Sequence, residues 1–319
     1  MPHILIAGKL HPKGLALLDS APGVTYDHVE EISEASYQTH LASADAMVIR
    51  TQPLQAASIA KASRLKIVSR HGVGYDAVDV AALNARNIPL CIVGDVNSVS
   101  VAEHAMMLIL ACAKQLIRSD NSVRHGPWGW RNKLEAAEIS GKRLLIIGYG
   151  RIGRHLARMA SGFGMEIRAV DPFLATAGWP AADLASPTDL AAGLAWADVV
   201  SVHVPKAGAA LIGAAELASM KPGAIIVNTA RGGVVDELAL AAALRAGTVA
   251  AAGIDVFDAE PPGADHPLIG FDEVILTPHI AGLTQQAAER MAISSVQNVL
   301  DFFAGQLAAD LIVNKDNLK

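Results

Sequence analysis

Short apolar, β-branched runs alternate along the chain with longer stretches whose apolar positions recur every three or four residues. The first third holds HILIAG (3–8), VTYDHV (24–29), AMVIR (46–50), LKIVSR (65–70) and PLCIVG (89–94); the remainder holds RLLIIG (143–148), EIRAVD (166–171), VVSVHV (199–204), AIIVNTA (224–230), AAGIDVF (251–257) and VILTPH (274–279). Continuous apolar runs separated by amphipathic segments are the pattern of βαβ units around parallel sheets covered on both faces, so the fold class is α/β. A five-stranded layer is expected first and a six-stranded one after it. A long apolar-periodic segment from Ser98 to Arg118 follows the turn formers Gly94, Asp95 and Asn97 and reads as one helix crossing into the second domain. Past Thr284, Ala288, Met291, Ala292, Val296, Val299, Leu300 and Phe303 share one helical face, as expected of a tail that returns to the first domain. The expected division is therefore 1–98 with 287–319 as one domain and 99–286 as the other, with two crossings that act as a hinge.

Composition supports two cores: 319 residues, 52% hydrophobic, with a mean hydropathy of +0.33. A net charge of −5 and a pI near 6.1, with both signs interspersed, provide no basic stripe for a phosphate backbone, so nucleic acid is not an expected partner. The longest apolar run, AMMLILACA (105–113), is far shorter than a bilayer span, and no membrane association is expected. The start, MPHILIAGKL, reads as a first strand rather than a leader. Cys91 and Cys112 lie in strand-like and helix-like apolar surroundings, as buried free thiols do, and a cytoplasmic setting is expected.

Candidate chemistry starts with LLIIGYGRIGRH (144–155). A glycine pattern alone fits a plain tight turn equally well. Here a strand-like run precedes it, Ile152, Leu156 and Met159 follow at helical spacing, and Asp171 ends the next apolar run about 20 residues on, as a dinucleotide site requires. Gly148 would make the turn, Gly150 admit the pyrophosphate, and Gly153 allow close packing of helix on strand. The anion would sit on the helix N-terminus beside Arg151, Ile152 and Arg154. Asp171 would accept the ribose hydroxyls and repel a 2′-phosphate, which favours NAD over NADP.

Arg231, Glu260 and His279 each follow a strand-like run, where open α/β sheets bind ligands. Together with SRHGVGYDAVD (69–79), SVAEHAMMLIL (100–110), IIGYGRIGR (146–154), NTARGGVVDE (228–237), GIDVFDAEPP (253–262) and TPHIAGLT (277–284), they make the chain resemble the D-isomer specific 2-hydroxyacid dehydrogenase family, in its phosphoglycerate dehydrogenase and hydroxypyruvate or glyoxylate reductase branch. The resemblance implies a Rossmann-type NAD domain, a smaller flavodoxin-like substrate domain, a homodimer, no metal, and hydride transfer between NAD(H) and a small 2-hydroxy or 2-keto acid. It assigns Arg231 to the substrate carboxylate and keto oxygen, His279 to proton transfer, and Glu260 to pairing with His279. A planar guanidinium suits bidentate binding of a 2-keto acid, and an imidazole suits proton transfer near neutral pH.

The resemblance also places Gly72, Val73 and Gly74 on the substrate carboxylate, as a nest of backbone N–H groups. It gives Val204, Thr229, Ala230, Asp255 and Gly282 to the cofactor, with Asp255 near the carboxamide. Arg50 and Arg70 resemble arginines that hold a distal phosphate, and each also fits an ordinary surface arginine. His71 stands where relatives carry small residues and is expected to line the substrate pocket. Glu103 and His104 read as helix-packing or subunit-contact residues, and HGPWGW (125–130) as a packing loop. Formate dehydrogenases of the same scaffold carry glutamine in place of Glu260, which disfavours that activity. Two alternatives stay open: glyoxylate or hydroxypyruvate reduction as the specific activity, and an NAD-sensing, corepressor-like protein without turnover.

Overall fold

The computed structural model describes residues 1–180 and 183–318. The chain forms two compact units, Met1–Asn97 with Leu283–Lys319, and Ser98–Gly282. The second boundary lies a few residues before the expected 286/287, because the Thr284 side chain already caps the last long helix, accepting from the Ala287 N–H.

In the first unit, β1 (His3–Ala7), β2 (Thr25–Val29), β3 (Ala46–Ile49), β4 (Ile67–Arg70) and β5 (Leu90–Cys91) form a parallel sheet in the order β2-β1-β3-β4-β5. In the central strands β1 and β3 the apolar runs are continuous because both faces are covered, whereas the edge strand β2 has no buried residue. Along β1, Ile4 and Ile6 pack with Ala292, Val296 and Val299 of the returning helix Gln285–Ala304, while Leu5 and Ala7 pack with Tyr37, Leu41 and Ile59 on the other side. The tail thus docks by the face read from its spacing. Beyond it, Ile312 bridges antiparallel to Cys91, covering the short β5 edge.

The second unit holds β6 (Arg143–Ile147), β7 (Glu166–Val170), β8 (Ser186–Pro187), β9 (Val199–Val202), β10 (Ala224–Asn228), β11 (Val249–Ile254) and β12 (Val274–Leu276), ordered β12-β11-β10-β9-β6-β7-β8 and parallel throughout. Alternate residues of β6 again face opposite cores, Leu144 and Ile146 on one side, Leu145 and Ile147 on the other. Strand order reverses between β6 and β9, the kind of point where doubly wound sheets open a crevice at their carboxyl edge.

Two expectations are corrected. The second sheet has seven strands, not six: β8 is a two-residue edge strand containing a proline, too short to show periodicity. The helix expected over Ser98–Arg118 is two helices, Ser98–Ala113 and Leu116–His125, meeting at 58°. Gln115 between them adopts a left-handed φ of 52°. The first helix is a core element, whereas the second buries none of its residues, so Leu116 and Ile117 continue an apolar pattern with no core beneath them. Among the described residues, no single helix is long and apolar enough to cross a membrane, and no group of three or more metal-ligating side chains occurs.

Candidate active site

Because the second sheet is wholly parallel, each of its strands delivers the following residues to one edge. Gly148 follows β6, Asp171 follows β7, His203 and Val204 follow β9, Thr229–Arg231 follow β10, Asp255–Glu260 follow β11, and Thr277–Gly282 follow β12. The topology therefore brings the sequence-predicted residues of this unit to a common edge, with Arg231, Glu260 and His279 after three adjacent strands.

The three glycines differ in what surrounds them. Gly148 has φ 96°, and a Cβ there would stand 2.7 Å from the His203 carbonyl oxygen and 2.9 Å from Val204 Cγ1, at the strand-order reversal. A Cβ on Gly153 would stand 2.4 Å from the Gly148 oxygen. Gly150, the residue before the helix Arg151–Gly162, has open space where its Cβ would be. These are the turn, the helix–strand approach and the clear path to a helix N-terminus that a pyrophosphate needs. Arg154 lies over the Tyr149 ring, which directs its guanidinium toward the glycine loop.

Asp171 differs from expectation in one respect. Its Oδ1 accepts from the Phe173 and Leu174 N–H groups at 3.0 and 3.1 Å, and its Oδ2 from the Tyr149 N–H at 2.9 Å. The carboxylate thus fixes the glycine loop and caps the next helix, and its remaining acceptor capacity lies on Oδ2 rather than across both oxygens. Thr229 Oγ1 and His203 Nδ1 are buried polar atoms without a partner, and a bound cofactor with ribose and amide groups would satisfy such atoms. The sequence reading missed His203; its signal was a histidine directly after an apolar strand.

Arg231 emerges from a turn built by Asn228, which is buried. Asn228 Oδ1 accepts from the Ala230 N–H and its Nδ2 donates to the Arg231 carbonyl, at 3.0 and 2.9 Å. Arg231 Nη1 donates to the Ala230 carbonyl at 2.6 Å, which orients the guanidinium. At Gly232 a Cβ would overlap the Phe257 carbonyl, so this turn packs backbone to backbone against the segment leading to Glu260.

His279 holds its ring by Nδ1, 2.8 Å from Glu260 Oε2. The other oxygen, Glu260 Oε1, accepts from the Phe257 N–H at 3.0 Å. A carboxylate anchored at one oxygen and pinning Nδ1 at the other leaves Nε2 as the outward nitrogen of a half-exposed ring. His279 itself has a left-handed φ of 52°. Asp255, expected beside a cofactor amide, is fully buried, and its carboxylate binds the loop that carries His279: Oδ1 accepts from Thr277 Oγ1 and the Ile280 N–H, Oδ2 from the Ala281 N–H. Gly282 ends this loop, half-buried.

In the first unit, Arg50 follows β3, and Arg70 closes β4 ahead of His71 and the glycine turn. The turn corrects the expected nest. The Gly72 N–H is taken by the Arg70 carbonyl at 2.9 Å, so the N–H groups left for an anion are those of Val73 and Gly74. Arg70 Nη1 donates to the His71 carbonyl at 2.7 Å. His71 is buried with Nε2 unpartnered, and burial, with Arg50 and Arg70 nearby, pushes its imidazole down to about 4.

Residues 106–281 match the family model for the D-isomer specific 2-hydroxyacid dehydrogenase NAD binding domain. A D-3-phosphoglycerate dehydrogenase of Mycobacterium leprae is 39% identical over 317 residues; the alignment covers 98% of this chain and 59% of that one, so the chain spans well under two thirds of that relative's length. Among solved structures, a Thermus thermophilus protein superposes with a TM-score of 0.88 at 30% identity, covering 96% of this chain and 98% of that one. An NADPH-dependent glyoxylate/hydroxypyruvate reductase of Sinorhizobium meliloti superposes with a TM-score of 0.84 at 28% identity, covering 97% and 96%. The chain belongs to the D-isomer specific 2-hydroxyacid dehydrogenase family.

Proposed function

We propose that the protein is an NAD-dependent oxidoreductase that moves a hydride between NAD(H) and C2 of a small D-2-hydroxy acid or its 2-keto acid, in the manner of phosphoglycerate dehydrogenase. The observation that carries this reading is the His279 ring held by Glu260 at 2.8 Å, at the same sheet edge as Arg231 and the glycine turn. When bound, NADH supplies the hydride. Gly148, Gly150, Arg151, Ile152 and Gly153 receive its pyrophosphate, Asp171 its ribose, and Val204, Thr229, Ala230 and Gly282 flank the remainder, while Asp255, buried with its carboxylate on the Ile280 and Ala281 amides, supports the His279 loop. Arg231 binds the substrate carboxylate and polarises the keto oxygen through its planar fork of donors. His279 gives its Nε2 proton to the oxygen as the carbonyl carbon becomes tetrahedral, and takes it back in the oxidative direction. Glu260 fixes the ring and balances the imidazolium before the proton leaves. The Val73 and Gly74 amides serve a substrate carboxylate, and Arg50, Arg70 and His71 a more distal group.

The likeness to the Sinorhizobium reductase favours glyoxylate or hydroxypyruvate as a second reading of the substrate. Homodimerisation fits the exposed apolar side chains on and after the bent helix pair, Met107, Leu116, Ile117, Val123, Trp128 and Leu134. A reducing, cytoplasmic setting fits the two free cysteines, whose thiols burial pushes up to about 12.

The test is NADH oxidation with glyoxylate, hydroxypyruvate, pyruvate, bulkier keto acids and phosphohydroxypyruvate, for the wild type and for Arg50→Ala and Arg70→Ala. Turnover of at least one keto acid is expected. Selective loss of phosphohydroxypyruvate use in the arginine variants would assign them its phosphate. NADH binding without turnover of any keto acid would replace the enzyme by an NAD sensor.

A further inference from the structure

His104 and Thr277 form a relay onto Asp255 that ends at the His279 loop. His104, on the core helix Ser98–Ala113, has Nε2 3.0 Å from Thr277 Oγ1. Thr277 Oγ1 is in turn 2.5 Å from Asp255 Oδ1. A carboxylate has no proton to give, so the Thr277 hydroxyl donates to Asp255 and must accept from His104. This fixes the imidazole as the Nε2–H tautomer. Burial holds His104 below its ordinary value of 6.5 despite the neighbouring carboxylate, in keeping with a neutral ring.

Asp255 is the point to which the loop is tied. Its carbonyl accepts from the His279 N–H at 2.8 Å, and its two carboxylate oxygens accept from the Ile280 and Ala281 N–H groups at 3.0 and 2.9 Å. Three consecutive amides therefore end on one fully buried residue. The first belongs to His279, whose left-handed φ of 52° is a conformation that a residue with a side chain holds only when its surroundings impose it. No arginine or lysine forms an ion pair with Asp255 among the described residues; its charge is met by these amides and by the Thr277 hydroxyl, which His104 supports.

We propose that His104 and Thr277 are positioning residues for His279: by aiming the Asp255 carboxylate at the 280 and 281 amides, they hold the His279 backbone in the conformation that sets its ring on Glu260. The proposal rests on the reading of His279 as the proton donor. Both act through the loop that carries His279, so the proposal places their effect on the rate of the chemical step. A displacement on the order of 1 Å in such a group lowers turnover by about 100-fold.

The experiment compares Thr277→Val and His104→Leu, which keep volume and remove the polar link, with Thr277→Ser and His104→Gln, which restore a donor. Amide hydrogen exchange at Ile280 and Ala281 reports the clamp without reference to activity, and NADH fluorescence titration reports cofactor affinity. The expected result for Thr277→Val and His104→Leu is exchange at least about tenfold faster at these amides, kcat down by about 10- to 100-fold, and keto-acid KM and NADH Kd within about twofold of wild type. Thr277→Ser and His104→Gln are expected to recover most of both losses. Unchanged protection of the two amides in Thr277→Val would overturn the clamp, as would a kcat loss matched by an equal rise in NADH Kd. Retained turnover in His279→Ala would instead remove the proton-donor reading, a failure read by a different variant and a different measurement.

Discussion

Three glycines within six residues stand in unequal surroundings, and substitution separates their roles. Gly153→Ala would put a methyl 2.4 Å from the Gly148 carbonyl oxygen, where backbone faces backbone and neither side has a flexible end to move. A loss of about 1–3 kcal/mol of stability is expected, as for other overpacked cores, and NADH binding falls with it. Gly150→Ala meets nothing within 4 Å, at a φ of −77° that alanine accepts, so its thermal midpoint should stay near wild type. Its NADH Kd should nevertheless rise about tenfold, because the methyl occupies the path to the helix N-terminus. Differential scanning fluorimetry beside NADH titration checks both, and equal behaviour of the two variants would remove the distinction. Arg231→Lys tests the guanidinium in the same spirit: a point charge cannot reproduce a planar fork, and kcat/KM should fall at least about 100-fold with NADH affinity intact. At this scale the sequence shows which residues reach the sheet edge, but not how their polar atoms are shared. The Asp171 and Asp255 carboxylates are taken by amides of neighbouring loops and the Gly72 amide by the Arg70 carbonyl, pairings set by how the loops fold on one another and not by spacing in the sequence.

Elements were legible to the extent that they bury a face. The eleven runs correspond to strands; the central ones are continuously apolar because both their faces are covered, whereas β2 and β7, toward the sheet edges, keep polar positions, and the returning helix showed its seam to the first sheet. What stayed hidden depends on contacts distant in sequence or too brief to have a period, as with β8 and the bend at Gln115. The edge of β5 is another case. Val313 donates to the Leu90 carbonyl and Ile92 to the Leu311 carbonyl, and buried Asn314 secures the junction: its Oδ1 accepts from the Leu90 N–H at 2.8 Å and its Nδ2 donates to the Ile88 carbonyl at 3.0 Å. Nothing in a lone asparagine near the end of the sequence announces this. Asn314→Leu would leave the Leu90 N–H and one acceptor of Ile88 buried without that partner, and a loss of about 2–4 kcal/mol is expected in urea melts of the full chain. A midpoint within error of wild type would show that the terminal segment does not hold the sheet edge.

Acid lability belongs to the whole molecule, because its buried histidines and its paired carboxylates titrate in different windows. Burial pushes His203 down to about 4, and burial with two nearby arginines does the same to His71. Above the ordinary histidine value of 6.5 both rings are neutral whether the chain is folded or not, and they contribute no pH dependence. As pH falls below 6.5 the unfolded chain binds protons that the folded chain refuses, so stability declines until about 4, where the folded rings also protonate. The loss amounts to about 3 kcal/mol per histidine at the lower end. Asp45, held down chiefly by the His3 N–H and Arg64 against the cost of burial, and Asp198, held by Lys221 and the Arg143 N–H, are also depressed, but from an ordinary value of 3.8. The stability they lend is complete above that value and disappears only below it. Between pH 6.5 and 4 the histidines therefore dominate. His71→Gln removes one titrating ring whose Nε2 has no partner to lose, so its thermal midpoint should fall less steeply than that of the wild type between pH 6.5 and 4.5, while the two curves run parallel below pH 4. Parallel curves across the upper window would mean that His71 accepts a proton in the folded state as readily as in the unfolded one.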